Sequence, residues 1–181
     1  MLAFPNPALK PEVDYLKNFG FKNEVEVVMP GTNAKMNEMQ ALMGMTMLKY
    51  VPQLIEKQRA ITKLYRQQLQ SIPGIHLPPL PSDEIDYNYA YSPIEIDEQE
   101  FGISRDQLYE KLKEYNIFTR RYFYPLICDF AYYRNVPVAD PLKTARGVAE
   151  RILSLPIYCD LSLDDVQKIC DIIIHIKLLQ S

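Results

Sequence analysis

Gly31-Thr32-Asn33-Ala34-Lys35-Met36-Asn37-Glu38-Met39-Gln40 joins a polar loop to the start of a long apolar helix. Asn37, with Gln40 three places on, has the spacing of an N-cap and capping box. Asn33 and Lys35 set an amide and a cation just ahead of that start. Gly31 admits backbone conformations that other residues avoid. Exposed N–H groups at a helix N-terminus, an amide and an ammonium together suit an anion such as phosphate. A plainer description is a capped helix beside a solvated lysine, and spacing alone leaves both open.

The helical pattern continues to about Tyr50. Met39, Met43, Met47 and Tyr50 recur at helical spacing and share one face. Methionine suits both an irregular core and an adaptable subunit interface. Pro52 interrupts the run, because Val51 is biased away from helical angles. A second helix is predicted from Pro52 to about Ser71, with Leu54, Ile61, Tyr65, Leu69 and Ile72 as its apolar stripe. Upstream, Pro5, Pro7 and Pro11 argue against a regular start. A short helix is expected over Val13 to Phe19, stopped at Gly20, and a short strand over Val25 to Met29.

Downstream, Ile75 to Leu77 reads as extended and Pro78-Pro79-Leu80-Pro81 as a stiff connector. Tyr87 to Tyr91 alternates as a strand does, continuing through Ile94 and Ile96. Pro93 then implies an edge position or a bulge. Ser104 and Gln107 form another capping box, opening a helix with Leu108, Leu112 and Tyr115 inward. Ile117 to Tyr124 and Ile152 to Ile157 read as strands, and Asp129 to Arg134 and Pro141 to Arg151 as short helices. Ser162 with Asp165 caps a last helix whose stripe is Leu163, Val166, Ile169, Ile173 and Ile176. The order predicts an α+β domain with a small, mainly antiparallel sheet covered by helices and preceded by two long helices.

With 181 residues the chain can bury one proper core. Hydrophobic residues at 48 % and charged ones at 24 % match an ordinary globular balance. A net charge of −3 offers no general field for nucleic acid or an anionic membrane. No apolar run approaches the roughly 20 residues that span a bilayer. Met1-Leu2-Ala3-Phe4 lacks the basic start and apolar core of a signal peptide, so a cytoplasmic protein is expected. Cys128, Cys159 and Cys170 are scattered and odd in number, which predicts free thiols. His76 and His175 have no metal-ligand spacing, and no metal site is expected.

A second polar cluster is Arg120-Arg121-Tyr122-Phe123-Tyr124. On a strand, Arg120, Tyr122 and Tyr124 would share one face and Arg121 and Phe123 the other. Guanidinium groups pair with phosphates, and tyrosines offer hydroxyls and apolar rings to a sugar. A nucleotide sugar would suit such a strand, as would solvent on a half-buried one.

The stretch Gly31 to Ala41 resembles a signature of the DegT/DnrJ/EryC1/StrS sugar aminotransferases. Thr119 to Leu126, Leu153 to Tyr158 and the following Leu161-Ser162 resemble later parts of the same family. The resemblance implies the C-terminal half of a fold-type-I aminotransferase-like enzyme that uses pyridoxal 5′-phosphate. It assigns residues 1–36 to the large-domain side and a connecting loop, and 37–181 to a C-terminal small domain. It implies a missing N-terminal cofactor-binding domain, a homodimer, a nucleotide-sugar substrate and glutamate as amino donor, in deoxysugar or surface-polysaccharide biosynthesis. Asn33 would reach across the dimer to the cofactor phosphate, with Lys35 beside it. Arg120, Arg121, Tyr122 and Tyr124 would face the substrate. The variant Arg-Arg-Tyr-Phe-Tyr-Pro-Leu-Ile looks most like the branch acting on dTDP-4-keto-6-deoxyhexoses.

Two positions depart from the family. Lys35 stands where many relatives have arginine, which keeps the charge but loses the planar fork. Ile127 stands where many have histidine. Such aminotransferases also need a lysine that forms an imine with the cofactor. The family places it upstream of the matched region, and Lys10 and Lys17 lie in the wrong surroundings. No catalytic residue is therefore assigned, and the chain is expected to be inactive alone. Two alternatives remain. Some relatives carry histidine for that lysine and act as sugar dehydratases. A non-catalytic α+β interaction module would instead be a stable monomer without a large apolar surface.

Overall fold

The computed structural model describes residues 5–180 apart from 81, 83, 84, 134 and 139. It divides into two compact units, Met1–Val51 and Pro52–Ser181.

The first unit holds α1 (Lys10–Leu16) and α2 (Glu38–Leu48). Helix α1 begins earlier than its pattern suggests. Pro11 sits in its first turn, where the missing N–H costs nothing. It ends at Leu16 with Lys17 as its C-cap, and Phe19 and Gly20 then take φ values of 57° and 81°. The predicted strand over Val25 to Met29 reduces to a single bridge between Phe21 and Val27. Among the described residues of this unit only Gly20 is buried. Helix α2 has apolar residues on every side and buries none of them. Met39 is 75 % exposed and Met45 68 %, so core filling within this chain does not account for the methionines.

The second unit carries the core. Helix α3 (Val51–Leu69) buries Ile61, Tyr65 and Leu69 along its predicted stripe. Strands β1 (Ile75–His76), β2 (Ser92–Ile96) and β3 (Ile152–Leu155) form an antiparallel sheet in the order β1-β2-β3. The tyrosine run is not the strand. Tyr89 adopts φ 51°, and pairing starts only at Ser92. Pro93 lies in the middle strand rather than on an edge, in register with Ser154. β1 pairs only with Glu95 and Ile96 and does not reach it, so Pro93 has a partner strand on one side alone.

Ile94 and Ile96 point into a core shared with α5 (Arg105–Glu114) and α7 (Leu163–Leu178). Each such fully buried Leu or Ile contributes about 1.5–3 kcal/mol, which explains why this unit holds its fold while the first has so little to hold. Leu108 and Leu112 face inward as predicted, but Tyr115 is the exposed C-cap of α5. Leu163 is likewise exposed, and Cys170 takes a place in the core beside Ile173. The short helix α4 (Glu98–Phe101) and helix α6 (Lys143–Arg151) complete the unit. The helix expected over Asp129 to Arg134 is a 3-10 turn at Ile127–Asp129, and Arg134 lies outside the described residues. Within the described residues, no helix is long and apolar enough to cross a membrane.

Candidate functional site

The predicted capping box is present. Asn37 accepts from the Gln40 amide at 2.9 Å, and the Gln40 side chain accepts from the Asn37 amide at 3.3 Å. The loop before it is anchored on the end of α1. The Thr32 amide donates to Leu16 at 2.8 Å, the Phe19 amide to Thr32 at 3.2 Å, and the Ala34 amide to Lys17 at 3.0 Å. Gly31 is needed there for space. A Cβ at that position would lie 2.2 Å from the Gly20 nitrogen.

This anchored loop presents Asn33 and Lys35 at the surface. The Asn33 side chain has no hydrogen-bond partner among the described residues. The Lys35 ammonium donates to the amide oxygen of Asn18 at 3.0 Å and lies 5.7 Å from the centre of the Phe19 ring. No carboxylate neutralises it among the described residues, so an amide and a positive charge are both available to an incoming anion. Lys10 and Lys17, by contrast, both pair with Asp14 and hold its carboxyl below the usual range.

The second cluster is not a regular strand. Arg120 alone bridges to β3, exchanging backbone hydrogen bonds with Ser154 at 3.0 and 2.7 Å. Beyond it the chain turns, and Tyr122 and Phe123 stack with centroids 5.1 Å apart instead of pointing to opposite faces. The turn nevertheless gathers Arg120, Arg121, Tyr122 and Tyr124 around one hollow of about 490 Å³. Ile127, at the family's histidine position, lies exposed on its rim. Asp129 accepts from Arg146 at 2.8 and 3.0 Å, tying that rim to α6.

Beneath the hollow is a layer that spacing did not reveal. Arg105 is 2 % exposed. Its Nη1 donates to the Ala149 carbonyl at 3.1 Å and the Ile152 carbonyl at 2.7 Å. Its Nε lies 2.8 Å from Asp106 Oδ1, forming an ion pair. Its guanidinium sits 4.9 Å from the Tyr124 ring centre. Burial pulls the Arg105 pKa below its ordinary value, with Asp106 opposing. Asp106 Oδ1 also accepts from Arg121 Nη1 at 2.9 Å, and Arg121 lies 4.7 Å from the Tyr109 ring and 5.5 Å from that of Tyr124. Tyr91 packs edge-on to Tyr122 at 5.6 Å and extends the aromatic wall. The signal for Arg105 was its position, since a cation in the first turn opposes the helix dipole unless something else requires it.

Comparison with known proteins bears on the family and the fold of the chain. The chain is 43 % identical over 172 residues to a dTDP-4-amino-4,6-dideoxy-D-glucose transaminase of Escherichia coli, covering 94 % of this chain and 46 % of that one. It is 39 % identical over 169 residues to the enzyme of the same name from Shigella dysenteriae, covering 93 % and 46 %. Among solved structures, DesI with its TDP-sugar product superposes with a TM-score of 0.80 at 34 % identity, over 97 % of this chain and 43 % of that one. The chain thus spans about half the length of the curated relatives it matches. The DegT/DnrJ/EryC1/StrS aminotransferase family matches residues 1–174, and the chain belongs to that family.

Proposed function

We propose that this chain is the C-terminal half of a pyridoxal-phosphate-dependent aminotransferase that moves an amino group from glutamate to a nucleotide-linked keto-deoxysugar. The observation that carries the reading is α2. A helix that is apolar all round belongs in an interior, yet this one buries nothing within its own chain. The missing cover is a cofactor-binding domain and the second subunit of a homodimer. Residues 1–36 belong with that large domain in function. A self-contained module, stable as a monomer, would not leave so much methionine uncovered.

The anchored loop fits the phosphate end of the cofactor: the Asn33 amide is unengaged and Lys35 carries an unneutralised charge. When bound, the cofactor supplies the electron sink for amino transfer. This chain's residues would orient and bind. Asn33 and Lys35 would hold the phosphate of the neighbouring subunit, and the hollow at Arg120, Tyr122 and Tyr124 would seat the nucleotide sugar. The reactive lysine must come from outside the chain. The relatives are named for a dTDP-linked 4-amino-4,6-dideoxyglucose, and the same sugar class is proposed here, in a cytoplasmic route to surface polysaccharide.

The test is association through α2. Size-exclusion chromatography with light scattering should show the 181-residue chain self-associating, and Met43→Lys on α2 should return it to monomer. A wild-type chain that stays monomeric at high concentration would remove the basis of the reading.

A further inference from the structure

The two adjacent arginines of the hollow differ in what they would give up to bind an anion. Arg121 is held by Asp106 at 2.9 Å and sandwiched by the Tyr109 and Tyr124 rings at 4.7 and 5.5 Å. To reach a phosphate it would have to leave a carboxylate and two aromatic faces. Arg120 is fixed through its backbone on Ser154, but its exposed guanidinium has no hydrogen bond or ion pair among the described residues. It would exchange only water for the anion, keeping the full gain of a bidentate guanidinium–phosphate pair.

The geometry points to a division of roles, resting on the substrate-face reading above. Arg120 is the guanidinium that meets a nucleoside diphosphate at this hollow. Asp106 is a positioning residue that withdraws Arg121 from the anion and sets it against the Tyr124 ring. Asp106 is suited to this because one oxygen, Oδ1, faces both Arg105 at 2.8 Å and Arg121 at 2.9 Å. The buried Arg105 cannot move away, since Ala149 and Ile152 hold its Nη1. The carboxylate is thereby fixed from below, and Arg121 is fixed through it. The family resemblance gave both arginines a substrate-facing role; their surroundings make one a ligand and the other a support.

The experiment titrates thymidine 5′-diphosphate into the 181-residue chain and follows the arginine Nε–H signals by 15N–1H spectroscopy, assigned with Arg120→Gln and Arg121→Gln. In the wild-type chain the Arg120 signal should shift to saturation while Arg121 stays still. Arg120→Gln should weaken the apparent affinity by roughly tenfold. In Asp106→Asn the Arg121 signal should begin to respond, and Asp106→Glu should silence it again, a pattern that simple loss of stability does not produce. An Arg121 response with Arg120 silent in the wild-type chain overturns the assignment and leaves the substrate-face reading intact. Arg121 remaining silent in Asp106→Asn overturns the role of Asp106. If neither arginine responds in the wild-type chain, the substrate-face reading fails and the assignment fails with it.

Discussion

Arg105 Nη1 donates to the carbonyl of Ile152 at 2.7 Å, from the first turn of one helix to the first residue of a strand 47 positions later. The same nitrogen reaches Ala149 at 3.1 Å, so one guanidinium closes the junction between α6 and β3. Arg105→Met should therefore cost about 2–4 kcal/mol, because two inward-facing carbonyls lose a charged donor and Asp106 loses a partner. Arg105→Lys keeps the charge without the fork and should recover only part of the loss. Urea unfolding followed by circular dichroism reads both.

Tyr65 offers a cleaner single contact. Its hydroxyl donates to the Pro156 carbonyl at 3.0 Å from a ring that is otherwise enclosed, and burial raises the hydroxyl pKa strongly. Tyr65→Phe removes one oxygen and leaves the ring in place. The expected destabilisation is about 1–2 kcal/mol, visible as a lower urea midpoint with an unchanged slope.

Cys170 has a pH signature. Burial pushes its thiol up to about 12 from an ordinary 9.0. The folded state thus retains a proton that the unfolded state releases. The stability this contributes is complete below about pH 9 and is lost as pH rises toward about 12. The wild-type chain should lose stability across that interval more steeply than Cys170→Ala. Iodoacetamide at neutral pH should label the partly exposed Cys128 and Cys159 and spare Cys170 in the native chain.

Gly31→Ala should unseat the loop that carries Asn33. The added carbon would meet the Gly20 nitrogen at 2.2 Å and the Phe19 carbonyl carbon at 2.6 Å, both backbone atoms that cannot swing aside. Amide exchange at Phe19, Thr32 and Ala34 should accelerate by roughly tenfold or more, while exchange in α3 and β2 should stay unchanged.

Much of this architecture was legible where the information is local. The Asn37/Gln40 and Ser104/Gln107 boxes and the Ser162 cap lie within one turn of what they satisfy, and all three open helices. The stripe of α7 was readable for the same reason, apart from its first residue. Alternation misled twice. Tyr87 to Tyr91 alternates without a partner strand, and Tyr89 turns the chain before pairing begins. At Ile117 to Tyr124 only Arg120 finds a partner, so an alternating pattern ended as an aromatic turn. The first-turn position of Arg105 could flag it as unusual but not say what it holds, because its acceptors lie 44 and 47 residues away. Gly31 was expected for its torsional freedom, and the structure requires it for lack of room instead.

The bare methionines of α2 carry a chemical liability as well. Met39, Met43, Met45 and Met47 all stand open to solvent, so peroxide can reach their thioethers directly. Each sulfoxide would place a polar, chiral group where a greasy contact belongs. If α2 is the assembly surface proposed above, oxidised chains would be poor recruits, and the extent of sulfoxidation along this one helix would record how long a molecule had stood uncovered.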